Sequence, residues 1–67
     1  MQITLNNEAR TTDAATVEEL VREVLSEVPE AGTAVAIDGD VVPRSAWSTR
    51  KLEAGAQVDI LTAVQGG

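Results

Sequence analysis

The chain contains no cysteine and no histidine, and both absences exclude chemistry. Without cysteine it can form no disulfide bond, no thiolate metal site and no thiol nucleophile. Without histidine it has no imidazole to serve as a general base, a proton shuttle or a zinc ligand. We therefore do not expect an enzyme that works through its own side chains, and we expect no metal site.

Aromatic and basic residues are also scarce. Trp47 is the one aromatic residue, and five basic residues stand against eleven acidic ones, which gives a formal net charge of −6. Such a charge opposes binding to nucleic acid or anionic membranes and favours basic protein partners. No long apolar run and no basic N-terminal region are present, so we expect no membrane span, no signal peptide and a cytoplasmic location.

The 67 residues are enough for one small domain, which we expect to be monomeric when free. Apolar and polar residues alternate in several segments, as in strands with one buried face. The segments that predict strands are residues 2–6, 9–12, 33–37, 41–42 and 57–64. Turn residues separate them at Asn6-Asn7, Asp38-Gly39 and Gly55, while residues 45–50 are expected to be irregular or to form a short 3-10 turn.

Between the second and third strands the hydrophobic period changes to that of a helix. The residues on one helical stripe are Val17, Leu20, Val21, Val24, Leu25 and Val28. Thr16 followed three residues later by Glu19 predicts a capping box at the start, and Pro29 and Gly32 are expected to mark the end. Glu18, Glu19, Glu23 and Glu27 are then expected to form a solvated face rather than a metal site.

One amphipathic helix and one sheet with a single apolar face bury their surfaces most economically against each other. The expected fold is therefore α+β: a β-grasp, or ubiquitin-like, mixed sheet packed against one helix, with the first and last strands parallel and adjacent. Residues 1–64 would form the domain and residues 65–67 a flexible C-terminal tail. Trp47 is expected to close the core beneath the irregular connection.

The chain ends in Gly66-Gly67, an ending that leaves the terminal carboxylate free of bulk. Over nearly its whole length the chain resembles the ThiS family of sulfur-carrier proteins in thiamin biosynthesis, and the glycine pair is one part of that resemblance. The residues that carry the resemblance are the opening 1–6, the segment 35–44 with its Val42-Pro43-Arg44, Trp47 three positions on, Gly55, and the glycine pair.

The resemblance implies a function performed at the C-terminus. An adenylating enzyme that resembles the ubiquitin-activating E1 enzymes would use ATP to activate the Gly67 carboxylate. Sulfur from a cysteine desulfurase would convert it to a thiocarboxylate, and thiazole synthase would receive the sulfur. Gln65 and Gly66 would present the terminus in narrow channels. The chain would need no cofactor, because sulfur is carried covalently on Gly67.

Alternation also suggests where such partners would dock. Leu61 and Ala63 fall on the opposite face from Val58 and Ile60, and Ala34 and Ala36 on the opposite face from Val35 and Ile37. We take Leu61, Ala63, Val64, Ala34 and Ala36 as the candidate partner interface. For the two alanines, ordinary surface exposure is a strong alternative interpretation, and Leu61 is the residue that we favour as a contact.

Two alternatives stay open from the sequence. The chain could carry sulfur for molybdopterin, cysteine or tRNA thiolation, or act as a ubiquitin-like modifier. It could also be a β-grasp protein-interaction module with an incidental Gly-Gly end.

Overall fold

A computed structural model of the chain describes residues 1–28 and 31–62. Along these ranges the elements are β1 (Gln2–Leu5), β2 (Glu8–Thr11), α1 (Val17–Leu25), β3 (Thr33–Ile37), β4 (Asp40–Val42), a 3-10 turn (Arg44–Ala46) and β5 (Gln57–Thr62). The last part of the predicted final strand and the whole predicted tail lie outside the described residues. The predicted boundary between domain and tail therefore stays a prediction.

The strands form one mixed sheet in the order β2-β1-β5-β3-β4. β1 and β5 run parallel, with Thr4 opposite Gln57 and Leu5 opposite Val58. The other neighbouring pairs are antiparallel. The β-grasp arrangement predicted from the sequence is confirmed, including the adjacent, parallel first and last strands. In the described part of the chain, no helix is both long and apolar enough to cross a membrane.

The core lies between α1 and one face of the sheet, which we call the inner face. Its buried apolar residues are Ile3, Leu5, Ala14, Val17, Leu20, Val21, Val35, Ile37, Val42, Trp47, Leu52, Ala56, Val58 and Ile60. The strand residues predicted to face inward are all among them. The last three residues of the predicted helical stripe, Val24, Leu25 and Val28, are only partly buried and pack against this core.

The helix ends earlier than its hydrophobic stripe suggests. Ser26 adopts a left-handed conformation with φ of 68°, which closes α1 at Leu25. A residue that precedes proline is disfavoured in helical conformation, so the helix has to end ahead of Val28-Pro29. The left-handed turn at Ser26 achieves this while Val28 still contacts the core. β2 also begins one residue earlier than predicted, at Glu8.

The start of α1 is held by the Thr16 side chain and by the connection before β5. Of the predicted capping box the bond to the Glu19 N–H is formed, whereas the Glu19 carboxylate contacts the Thr16 hydroxyl and not the Thr16 N–H. The Thr16 hydroxyl accepts the Glu19 N–H at 3.3 Å and lies 3.3 Å from the Glu19 carboxylate. The Val17 N–H donates to the Arg50 carbonyl and the Glu18 N–H to the Trp47 carbonyl, both at 3.0 Å. The first N–H groups of a helix have no partner inside it, so these contacts satisfy three donors that α1 itself cannot.

Trp47 is the centre of that connection, and the prediction that it closes the core is confirmed. The side chain is 1% exposed, and its indole N–H donates to the Val42 carbonyl at 3.0 Å. The Arg44 guanidinium lies 4.8 Å from the ring centroid, a cation–π distance. One residue thus joins the end of β4, the 3-10 turn and the helix start.

Replacing Trp47 with phenylalanine is expected to lower the free energy of unfolding by about 2 to 3 kcal/mol, because it leaves a cavity and removes the donor to the Val42 carbonyl. Urea unfolding followed by far-ultraviolet circular dichroism measures this without relying on the tryptophan signal. The exposed neighbour variant Val41→Ala is the control and should change stability by less than about 0.5 kcal/mol. Equal stabilities for the two variants would contradict the central role of Trp47.

Candidate functional site

The C-terminal residues of the chain follow directly from β5, which lies between β1 and β3 in the middle of the sheet. β3 pairs with β5 from Ile37 opposite Val58 to Thr33 opposite Thr62. β1 pairs with the beginning of β5 only. The segment that carries the terminal carboxylate therefore begins at a central strand with a partner along its full described length, and not at a sheet edge.

The face of the sheet turned away from α1, the outer face, is almost free of charge. Register and alternation place on it Gln2, Thr4, Ala9, Thr11, Ala34, Ala36, Val41, Gln57, Asp59 and Leu61. Within the described strands, Asp59 is the one ionisable residue on this face. The acidic residues that dominate the composition lie mainly elsewhere, on α1 and in the connections.

Four apolar residues of the outer face lie next to one another across three strands, and we call them the outer patch. Leu61 on β5 is opposite Ala34 on β3, and Val41 on β4 is opposite Ala36. Val41 is 75% exposed and Leu61 is 67% exposed. Leu61 on the central strand β5 and Val41 on the edge strand β4 are separated by the two alanines of β3. Two large side chains this exposed on one face are typical of an interaction surface.

The structure thus brings together three of the predicted interface residues, Leu61, Ala34 and Ala36. Ala63 and Val64 lie outside the described residues, as do Gln65, Gly66 and Gly67. The sequence prediction missed Val41, although a signal was present. A two-residue turn at Asp38-Gly39 pairs Ile37 with Asp40 and therefore Ala36 with Val41, which sets Val41 on the outer face.

Asp59 lies beside the outer patch, directly opposite Ala36 on β3. Its neighbours along the same face of β5 are Gln57 and Leu61, both exposed. No salt bridge to Asp59 is formed within residues 1–28 and 31–62. The outer face therefore offers a partner an apolar patch with a single adjacent negative charge.

The carboxylates of α1 are used in surface contacts. Glu23 accepts from Arg10 at 3.0 Å and from the Thr12 hydroxyl at 2.9 Å, which ties the helix to β2. Glu18 pairs with Arg22 one turn along at 3.3 Å. In the described ranges, His, Cys, Asp and Glu residues nowhere assemble in a group of three or more that could hold a metal ion.

A cavity of about 450 Å³ opens at the other end of β5, where the strand begins. It is lined by the ionisable residues Asp38, Arg50, Lys51 and Glu53 together with Ile37 and Ala54 to Ala56. Asp38 accepts the Gln57 N–H at 3.1 Å and so helps to hold the start of the strand. The cavity therefore lies at the opposite end of β5 from Leu61 of the outer patch.

Comparison with known proteins points to one family. The ThiS family model matches residues 3–67. The crystal structure of the thiamine biosynthesis protein ThiS from Geobacter metallireducens is similar, with a TM-score of 0.77 and 28% identity over 100% of both chains. An NMR solution structure of a thiamine biosynthesis protein from the same organism has a TM-score of 0.79 and 30% identity, covering 100% of this chain and 88% of the other.

A comparison with curated protein sequences gives no match. The family match nevertheless spans almost the whole chain, including the glycine pair, and the same β-grasp fold is found in the two solved structures. The chain therefore belongs to the ThiS family.

Proposed function

We propose that this chain is a sulfur carrier of thiamin biosynthesis and acts as a substrate of other enzymes rather than as an enzyme. A partner enzyme adenylates the Gly67 carboxylate, sulfur transfer converts it to a thiocarboxylate, and thiazole synthase takes up the sulfur. The observation that carries this proposal is the family match, which runs through the terminal glycine pair. The similarity to proteins described as thiamine biosynthesis proteins supports the same pathway.

The chemistry needs little from the carrier beyond its terminus. At neutral pH the terminal carboxylate is ionised and can attack the α-phosphorus of ATP in the partner enzyme, with loss of pyrophosphate. A persulfide sulfur then attacks the resulting acyl adenylate and displaces AMP. A thiol breaks the sulfur–sulfur bond, which leaves the thiocarboxylate on Gly67 and a disulfide on the partner. The absence of cysteine means that no thiol of the carrier competes in these steps.

The strand that precedes the terminal residues, β5, is well paired within the sheet. β5 is paired on both sides at its beginning and with β3 along its described length. Five residues follow Thr62, and a fully extended segment of that length spans at most about 18 Å. Such a reach suffices to place the carboxylate in a partner's active site while the folded domain stays outside it. We therefore propose residues 65–67 as the segment that enters the site.

The outer patch is the proposed docking surface for the adenylating enzyme and for thiazole synthase. It adjoins the end of β5, so a partner that covers Leu61 is also close to the point where the terminal segment begins. The net charge of −6 favours partners with basic surfaces, and Asp59 offers a point of contact for a basic side chain beside the patch. Both partners are expected to be cytoplasmic, together with the carrier.

Leu61→Asp is expected to leave the domain folded but to weaken binding to the adenylating enzyme at least about tenfold, because the contact would desolvate an unpaired carboxylate. Thermal unfolding and isothermal titration calorimetry measure the two effects. Thr11→Asp is the matched control, since Thr11 is exposed on the same face but on the distant edge strand β2. Leu20→Asp, at a fully buried position, should unfold the domain.

Equal binding by wild type, Leu61→Asp and Thr11→Asp would place the docking surface elsewhere. Unfolding by Leu61→Asp would contradict the assignment of Leu61 to the outer face.

Adding one alanine after Gly67, or deleting Gly67, is expected to abolish adenylation while leaving thermal stability nearly unchanged. A displacement of about 1 Å in a reacting group can cost on the order of a hundredfold in rate, and one added residue moves the carboxylate further than that. ATP–pyrophosphate exchange in the presence of the adenylating enzyme measures the reaction.

Full exchange by the extended chain would show that the terminus is not the reacting group, and the carrier proposal would fall. Exchange by wild type alone would agree with the proposal. Mass spectrometry of the carrier isolated from its own cells adds a second observation, since replacement of an oxygen by sulfur at the terminus increases the mass, whereas an incidental glycine pair would not acquire sulfur.

A further inference from the structure

Asn6 makes a long-range contact with the main chain of Ile60 in β5. It follows the last residue of β1 and has a left-handed backbone with φ of 49°. Its side-chain oxygen accepts the Ile60 N–H at 2.9 Å, and its side-chain nitrogen donates to the Ile60 carbonyl at 3.2 Å. Both main-chain polar groups of one β5 residue are thus bound by a single side chain 54 positions away.

These two bonds continue the parallel pairing of β1 with β5. The Thr4 N–H donates to the Ala56 carbonyl, and the Asn6 N–H donates to the Val58 carbonyl, both at 2.9 Å. In a parallel ladder the next two bonds would join the residue 6 carbonyl to the Ile60 N–H, and the residue 8 N–H to the Ile60 carbonyl. The chain turns away at Asn6, so its side-chain amide takes the place of both groups.

Without this side chain the β1 side of Ile60 would lose its partners. Ile60 is only 6% exposed, and a buried N–H or carbonyl without a partner is unfavourable. Two described residues, Leu61 and Thr62, remain between Ile60 and the C-terminal segment, and the pairing found for them is with β3. Asn6 therefore holds β5 from its second side at the last point before the segment that bears the carboxylate.

We propose that Asn6 is a positioning residue for the C-terminal carboxylate. By binding both main-chain groups of Ile60, it fixes where and in which direction the chain leaves the sheet, so that the terminus is presented productively to the adenylating enzyme. This inference rests on the proposed function and adds to it a residue at the far end of the sequence. Asn6 acts through β5 and does not itself take part in the reaction.

The neighbouring residue provides a matched control. Asn7 lies in the same turn and is also left-handed, with φ of 69°. Within residues 1–28 and 31–62, no side-chain hydrogen bond is formed by Asn7, in contrast to Asn6. Glycine accepts left-handed backbone without strain, so Asn6→Gly and Asn7→Gly make the same change of composition and preserve the turn. The two variants differ in that only Asn6→Gly removes the side-chain amide that binds Ile60.

The first experiment uses NMR on the free carrier. In Asn6→Gly the Ile60 amide is expected to exchange with solvent about tenfold faster than in Asn7→Gly, as the loss of a hydrogen bond to a buried group implies. The backbone order parameters of Leu61 and Thr62 should fall in Asn6→Gly alone. Unchanged exchange at Ile60 and unchanged order at Leu61 and Thr62 would overturn the inference, whatever the reaction turns out to be.

The second experiment follows ATP–pyrophosphate exchange with the adenylating enzyme. Asn6→Gly is expected to lower kcat several-fold relative to Asn7→Gly with little change in KM, because the outer patch is retained while the carboxylate is held less well. Thr16→Ala loses the helix cap, which takes no part in the contact between Asn6 and Ile60, and tests for a general effect of stability. A loss of kcat that is equal in Asn6→Gly and Thr16→Ala at equal stability would overturn positioning.

The outcomes separate this inference from the proposed function. If wild type supports no exchange, the adenylation proposal fails, while the NMR comparison still decides whether Asn6 orders the end of β5. If wild type supports exchange and Asn6→Gly has the same kcat as Asn7→Gly, the adenylation proposal stands and the positioning role of Asn6 is rejected.

Discussion

The parallel contact between β1 and β5 at the centre of the sheet is the constraint on which the rest of the structure depends. Parallel neighbours cannot be joined by a tight turn, so the chain between them must cross over from one end of the sheet to the other. Here the helix, the β3-β4 hairpin and the Trp47 connection all lie within that crossover. The helix covers the inner face, and β3 flanks β5 on the side that β1 leaves free.

This arrangement gives the sheet two faces of different character. The inner face is covered by α1 and stabilises the fold, and its edge is closed by Trp47. The outer face has no layer of described residues over it and carries almost no charge, and β5 runs through its middle. Leu61 of the outer patch lies near the described end of β5, the strand that the C-terminal residues follow in sequence.

The sequence predicted much of this structure because several of its signals are local. The alternation in β3 and β5 identified the inward residues correctly, and the Thr16–Glu19 spacing located the helix start. The helix end was placed too late, because the hydrophobic stripe continues to Val28 beyond the left-handed turn at Ser26. Val28 keeps its contact with the core from outside the helix, so hydrophobicity alone did not reveal the boundary.

The candidate site was predicted only in part, because the sequence shows the alternation within a strand but not the pairing between strands. Leu61 was assigned to the outer face from the alternation of a single strand, and the structure agrees. Val41 was missed because its face depends on the register of a hairpin, which is a relation between two strands. The bond between Asn6 and Ile60 could not be inferred from either segment, since an asparagine in a turn is accounted for locally by its left-handed backbone.

By itself, the sequence determined the inventory of this protein: 67 residues with a net charge of −6, no cysteine or histidine, strands with one apolar face, a capped amphipathic helix and the residues Gly66-Gly67. The tertiary structure decided the sheet order, the composition of the outer patch and the contact of Asn6 with the main chain of Ile60. Periodicity and capping are properties of neighbouring residues, whereas pairing between distant strands is settled only when the whole core packs.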